Sequence, residues 1–162
     1  AVEHLFEQGF KDIGFVTISS EQPQMNDREH AYLTAVEQQN ANSCILQTTY
    51  SIDPKVLMLQ IRDFLIKNPQ LDALYFSTNY LCVAGLKAIQ MLPEKRDFGL
   101  ISFDDHELFD LLQPTISCIQ QPLPAIAEKV VSLLLQQLQQ ENAPIQEFII
   151  PSKLIIRVSS LG

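Results

Sequence analysis

Residues 71–105 read LDALYFSTNYLCVAGLKAIQMLPEKRDFGLISFDD. LDALYF is a short apolar run of strand type, a helix follows from about Tyr80 to Leu92, and FGLISF, Phe98 to Phe103, is a second apolar run that ends on Asp104 and Asp105. Strands buried on both faces lose the polar alternation of an exposed antiparallel strand. Two such runs joined by an amphipathic helix therefore make a parallel βαβ unit.

The unit repeats toward the amino terminus. Val2, Leu5 and Phe6 lie at helical spacing within Ala1 to Gln8, Gly9 takes the C′ position, and IGFVTI, Ile13 to Ile18, is the first strand. A helix from about Asp27 to Gln39 and a strand near Ser43 to Thr48 follow. The next helix runs from about Pro54 to Lys67, with Asp53 as N-cap and Pro54 at N1. Beyond Asp105, a polar and acidic loop leads to ISCI, a strand that stops before Gln120. The class is α/β: a doubly wound parallel sheet in a three-layer α/β/α arrangement.

The tail is of another kind. A long helix from about Pro122 to Gln140 is apolar at Ile126, Val130, Val131, Leu133, Leu134, Leu135 and Leu138, an arc wide enough to require partners on more than one side. EFII and KLIIRV read as two strand-like pieces around Pro151, and Pro122 and Pro124 mark a crossover.

With 162 residues, 46% of them hydrophobic, the chain buries one substantial core. Its formal charge of -8 argues against gripping a phosphate backbone, which needs Lys and Arg. No apolar run approaches the length of a membrane span, and the opening residues lack a signal-peptide pattern, so no membrane partner is expected. The chain opens inside an amphipathic helix without an initiator Met, which reads as mid-sequence. Cys44, Cys82 and Cys118 are odd in number and widely spaced among apolar residues, a usage suited to a reducing cytoplasm. His4, His30 and His106 are too scattered to propose a metal site. No phosphate-loop, dinucleotide, nucleophile-elbow or zinc-protease signature is present, and no nucleophile and base come together at the strand ends, so neither a cofactor nor an enzymatic activity is expected.

In an open parallel sheet, ligands bind beyond the carboxyl ends of the strands. The segments there are SSEQPQMNDR, TTYSIDP, STN, DDHE and QQP, a polar rim able to hydrogen-bond a small ligand. Arg28 falls in the first turn of its expected helix, where the dipole disfavours a cation; such a broken local rule points to function, although pairing with Asp27 or Glu29 accounts for it equally well. Asn79 is placed to cap the following helix. Asp104 and Asp105 with Glu107 resemble a capping arrangement. Adjacent carboxylates on an extended segment point to opposite faces, which argues against a catalytic pair. Tyr50 either covers its loop or stacks on a sugar or base ring.

AVEHLFEQGFKDIGFVT, NDREHAYLTAV, LDALYFSTNYLCVAGLKAI, FGLISFDD, LLQPTISCIQQP and IIPSKLIIRVSS resemble, in that order, successive blocks of the lactose-repressor/galactose-repressor (LacI/GalR) family core. The SFDD block and the terminal P-x-x-L-I-x-R-x-S-S pattern are the most specific. The resemblance implies a periplasmic-binding-protein-like core of two lobes around a cleft, joined to an amino-terminal helix-turn-helix domain through which alone the regulator meets DNA. It divides the chain into residues 1–121, the carboxyl-terminal lobe; 122–144, a helix that crosses to the amino-terminal lobe; and 145–162, strands that return. It also implies a small-molecule effector, a homodimer and a cytoplasmic location.

Carried over residue by residue, Arg28, Asn79 and Asp104 match the family's effector contacts. Tyr50 falls where some members place a stacking aromatic, Gln121 and Leu123 line the crossover, and Gln24 matches by offset. An arginine fork, an amide and a carboxylate around one cleft suit a sugar. Tyr80 stands where the family often has Asp, and Ala31 where it has Gly. A sugar-binding protein for transport shares the fold and is the alternative reading. Lacking its family neighbours, the long helix is expected to be covered by self-association, through exchange between chains.

Overall fold

The computed structural model describes residues 1–139 and 146–162. Helix α1 (Val2–Glu7) ends at Gly9, whose φ of +95° turns the chain into β1 (Ile13–Ser19). Then come α2 (Pro23–Gln38), β2 (Cys44–Thr49), α3 (Pro54–Lys67), β3 (Ala73–Phe76), α4 (Asn79–Gln90), β4 (Gly99–Phe103), β5 (Ser117–Gln120), α5 (Leu123–Gln139) and β6 (Lys153–Ile155). The sheet order is β2-β1-β3-β4-β5-β6, parallel from β2 through β5, with β6 antiparallel to β5.

Alternate residues of each strand feed two cores. Val16, Leu74, Phe76 and Leu100 pack with Leu57, Ile61, Leu65 and Leu81 of α3 and α4 on one face. Ile13, Phe15, Tyr75 and Ile101 pack with Leu5, Tyr32 and Val36 of α1 and α2 on the other. This is the doubly wound, three-layer arrangement expected from the apolar runs. At Gly85 of α4, a Cβ would lie 2.4 Å from the Phe76 ring, so the glycine lets helix and sheet close together.

Four boundaries differ from expectation. Helix α2 starts at Pro23 rather than Asp27, because proline at N1 carries a preset helical φ and Gln22 before it is extended; Arg28 therefore lies in the second turn, and its supposed conflict with the helix dipole is removed. The cap of α4 is Thr78, not Asn79: its hydroxyl accepts from Leu81 N–H, which leaves the Asn79 amide for other use. The 3-10 turn Glu107–Asp110 is capped by His106, whose Nδ1 accepts from Leu108 N–H at 3.1 Å, not by the aspartates. EFII forms no strand, since Phe148 lies under the Lys129 ammonium of α5, 3.5 Å from ring centroid to Nζ, away from the sheet. Only Lys153–Ile155 pairs, with Leu154 opposite Ile119.

Helix α5 has no buried residue, and Leu138 is 82% exposed. Residues 140–144 of its expected span lie outside the described residues.

Tyr32 ties α2 to the sheet. Its hydroxyl donates to Ile13 C=O at 2.8 Å and accepts from Cys44 N–H at 2.9 Å, while its ring stacks on Phe15 at 5.0 Å. Burial pushes its pKa up to about 12, so the hydroxyl keeps its proton. Tyr32→Phe strands the Cys44 N–H and should lower stability by about 1–3 kcal/mol. In urea unfolding this appears as a lower midpoint at unchanged slope.

Candidate ligand cleft

Parallel pairing brings the carboxyl ends of β1, β3, β4 and β5 to one edge of the sheet. The chain reverses its direction of winding between β1 and β3, which makes this edge the crevice of the fold. Arg28, on the second turn of α2, reaches across it. Its Nη1 donates to Ser77 C=O, just past β3, at 2.7 Å, and its guanidinium carbon sits 3.5 Å from the centroid of Phe103, the last residue of β4. The Ser77 carbonyl, the Met25 sulfur, which Nη1 also meets at 3.7 Å, and one aromatic face thus hold the fork over the strand ends. Among the described residues Arg28 forms no ion pair, and Glu29 instead accepts from the Gln47 amide. Burial lowers the Arg28 pKa, with Asp104 and Tyr75 acting in the opposite direction.

Asp104 follows β4 with a φ of +67°, in the left-handed region that Asp tolerates better than most residues. Its N–H donates to Ile119 C=O at 3.0 Å, and its Oδ1 accepts a short hydrogen bond from Gln121 Nε2. Asn79, released from capping, donates from Nδ2 to Asp105 C=O at 3.0 Å. The Asp105 carboxylate is taken up by Arg157, accepting at both oxygens at 3.1 Å.

The seven sequence-derived residues line three adjoining hollows rather than one. Asn79, Asp104, Gln121 and Leu123 border a space of about 640 Å³. Arg28, Gln24 and Tyr50 border one of about 460 Å³, with Tyr80 on its wall. Arg28, Gln24 and Gln121 also border a third of about 570 Å³, floored by Tyr75 and Phe103. Arg28, Gln24 and Gln121 are therefore the shared partitions. Tyr50 is 76% exposed in the turn after β2 and joins the group only through the second hollow.

Phe103, Ser77 and Tyr80 also border this edge, although none of them is expected from the sequence as a site residue. Phe103 reads as the end of an apolar strand, Ser77 contributes only its carbonyl, and Tyr80 is a departure from the family pattern. Burial raises the Tyr80 pKa, with Tyr50 adding to the shift. The edge therefore offers hydrogen-bond donors, acceptors and aromatic faces to a small polar molecule. Among the described residues, no group of His, Cys, Asp and Glu side chains is arranged to hold a metal ion.

Residues 2–160 match the family described as periplasmic binding protein-like domain. The ribose operon repressor of Halalkalibacterium halodurans is 24% identical over 164 residues, which cover 100% of this chain and 49% of the repressor. The HTH-type transcriptional repressor CytR of Escherichia coli K12 is 26% identical over 175 residues, covering 99% of this chain and 48% of that protein. Among solved structures, a LacI family transcriptional regulator from Arthrobacter sp. FB24 in complex with lactose superposes with a TM-score of 0.80 at 18% identity, covering 98% of this chain and 61% of that one. The chain spans about half the length of the curated relatives it matches.

Burial alone would raise the Asp105 carboxyl pKa, but hydrogen bonds from Arg157, Cys118 and the His106 N–H outweigh it and hold the group below its ordinary 3.8. A depressed folded-state pKa adds stability that is fully present above 3.8 and is lost as pH falls through the folded value. Asp105→Asn should therefore flatten the acid limb of the melting temperature below the carboxyl's ordinary 3.8. An acid limb identical to that of the unaltered protein in a thermal scan would contradict the assignment.

Proposed function

The chain belongs to the periplasmic binding protein-like family, in the branch that holds the lactose and galactose repressors, and on that premise we propose that it is the effector-sensing part of a sugar-responsive transcription regulator. The observation that carries this reading is the Arg28 fork, held over Phe103 with, among the described residues, only Nη1 committed to protein acceptors. Its remaining N–H donors are available to adjacent ligand hydroxyls. Asn79, Asp104 and Gln121 supply further donors and acceptors, Tyr50 a stacking face, and Leu123 and Gln24 the rim; these seven residues form one wall of the effector cleft.

A sugar is the ligand class that fits. A ribose operon repressor and a lactose-bound regulator stand among the similar proteins, and the group lacks the paired cations that a phosphorylated ligand would call for. Residues 1–121 act as a carboxyl-terminal lobe, residues 122–144 cross to an amino-terminal lobe, and residues 145–162 return. Effector binding biases the relative lobe orientation and so the spacing of helix-turn-helix domains on DNA, in a cytoplasmic homodimer without enzymatic activity. The charge of -8 on this segment leaves the DNA contacts to those domains.

Titration calorimetry of the full-length protein against D-ribose, lactose, sugar phosphates and nucleobases tests the ligand class. We expect an unphosphorylated sugar to bind, with Arg28→Ala and Asp104→Asn each weakening it at least about tenfold, the scale of one lost charged hydrogen bond. Absence of binding heat with both D-ribose and lactose overturns the reading.

The exposed stripe of Val131, Leu134, Leu135 and Leu138 on α5 gives a separate expectation for this chain by itself. Light scattering at high concentration should report a mass above the monomer that falls in Leu134→Asp. A strictly monomeric mass would rule out self-association.

A further inference from the structure

We propose that Arg157 is a positioning residue for the ligand cleft: by gripping Asp105 from behind, it sets the backbone turn that aims both Asp104 and Asn79. This rests on the reading of those two residues as ligand contacts. The terminal P-x-x-L-I-x-R-x-S-S pattern, prominent in the sequence, otherwise has no role in the site.

The grip is bidentate. Arg157 Nη1 donates to Asp105 Oδ1 and Nη2 to Asp105 Oδ2, each at 3.1 Å, the paired-fork geometry that fixes orientation as well as distance. Nη1 also donates to Ile116 C=O at 2.7 Å, and Nε meets the exposed Asp110 at 2.6 Å. The Arg157 side chain is only 13% exposed, so little water competes for these bonds. Its hydrogen bond to Asp105 raises the pKa of the guanidinium, which keeps its charge throughout.

The arginine itself cannot drift. Its N–H donates to Ser117 Oγ at 2.8 Å, and its C=O accepts from the same hydroxyl at 3.1 Å. Ser117 Oγ lies 2.7 Å from Ser160 Oγ, which lies 2.9 Å from His4 Nε2, while Ser159 Oγ donates to Leu100 C=O at 2.7 Å. The buried serines of the terminal motif thus anchor Arg157 to β4, β5 and α1 together.

On the other side of Asp105 stand the cleft residues. Its C=O accepts from Asn79 Nδ2, so the rotation of that one peptide group decides where the Asn79 amide points. Asp104, its chain neighbour, is in the left-handed region, a conformation that persists when the surroundings over-determine it. The Asp104 N–H to Ile119 C=O and the Gln121 amide to Asp104 Oδ1 fix one side of the turn. The Arg157 fork fixes the other. Releasing the fork frees the Asp104–Asp105 unit to relax toward extended backbone, which swings the Asp105 carbonyl off Asn79 and the Asp104 carboxylate off Gln121.

The test uses Arg157→Lys, which keeps the charge but loses the fork, and Asp105→Asn, which keeps the shape, with Asp110→Asn as the control that removes only the exposed arm. In two-dimensional amide NMR without ligand, the Asn79 side-chain pair and the Asp104 amide should shift in the first two variants and stay in place in the control. In calorimetry of the full-length protein with the sugar that binds the unaltered protein most tightly in a D-ribose and lactose pair, Kd should rise at least about tenfold in the same two variants and less than about twofold in the control. Asn79→Ala should add little to the loss already caused by Arg157→Lys, because the lysine variant has displaced the Asn79 amide, a dependence that a purely stabilising arginine would not produce. Unmoved Asn79 and Asp104 resonances in a folded Arg157→Lys or Asp105→Asn protein overturn the proposal. So does an unchanged Kd with a lowered melting temperature. If neither sugar binds the unaltered protein, the ligand reading fails while the NMR arm still decides the positioning role.

Discussion

Parallel pairing of strands sealed on both faces constrains everything else in the molecule. Val16, Phe76, Ser102 and Cys118 lie side by side across β1, β3, β4 and β5, and this register places Ser77, Asp104 and Gln121 together just past the sheet edge. Because each crossover from β1 through β5 returns to the amino-terminal edge, each of these parallel strands delivers its following loop to the same side. Residues far apart in sequence meet there without any loop having to be long. Apolar burial by α1 and α2 on one face, and α3 and α4 on the other, holds that edge rigid.

On this scaffold two arginines are treated in opposite ways. Arg157 meets two carboxylates and a carbonyl, and its charge is internally satisfied. Arg28, half-buried, has a carbonyl and an aromatic face, while Asp104, the acid that favours its charge, is engaged by Gln121. Desolvating a cation without a paired anion is costly, and a ligand that brings several oxygens to the fork relieves that cost. The first arginine is thus bound into the lobe, and the second keeps donors that the proposed reading assigns to a ligand. In an acidic chain this distinction cannot be drawn from net charge; it depends on which carboxylate each fork can reach.

The fold was largely readable because its signal is physical and local: apolar runs of strand length between amphipathic helices, with Asp53 and Pro54 marking the start of α3 where Asp53 Oδ1 does accept from Lys55 N–H at 2.8 Å. Caps were less readable. Thr78 and Asn79 are both good capping residues, and only the backbone geometry selects Thr78. Pro23 was the missed signal for the start of α2. In the candidate site, Arg28, Asn79 and Asp104 stood out by resemblance and lie around the same edge, whereas the stack on Phe103 and the Asp105–Arg157 fork join residues 75 and 52 positions apart and leave no trace in spacing. EFII misled because apolar composition alone does not distinguish a strand from a segment packed on a helix.

Helix α5 is where the local logic of the lobe ends. β5 and β6 are antiparallel neighbours, and a hairpin of a few residues would connect them. The chain instead leaves at Gln121, forms a helix whose described residues are all at least partly exposed, and comes back at Lys153 to pair with Gln120. No requirement of the sheet accounts for that excursion, and its apolar stripe is costly to leave in water. Yet the return is firmly secured by the Ser117, Ser159 and Ser160 hydrogen bonds. Helix α5 therefore joins two points of the lobe while its apolar stripe stays exposed. Its tethers are Gln121, which holds Asp104, and the strand leading to Arg157, which holds Asp105. The two connections of α5 to the lobe thus run beside both aspartates at the cleft edge.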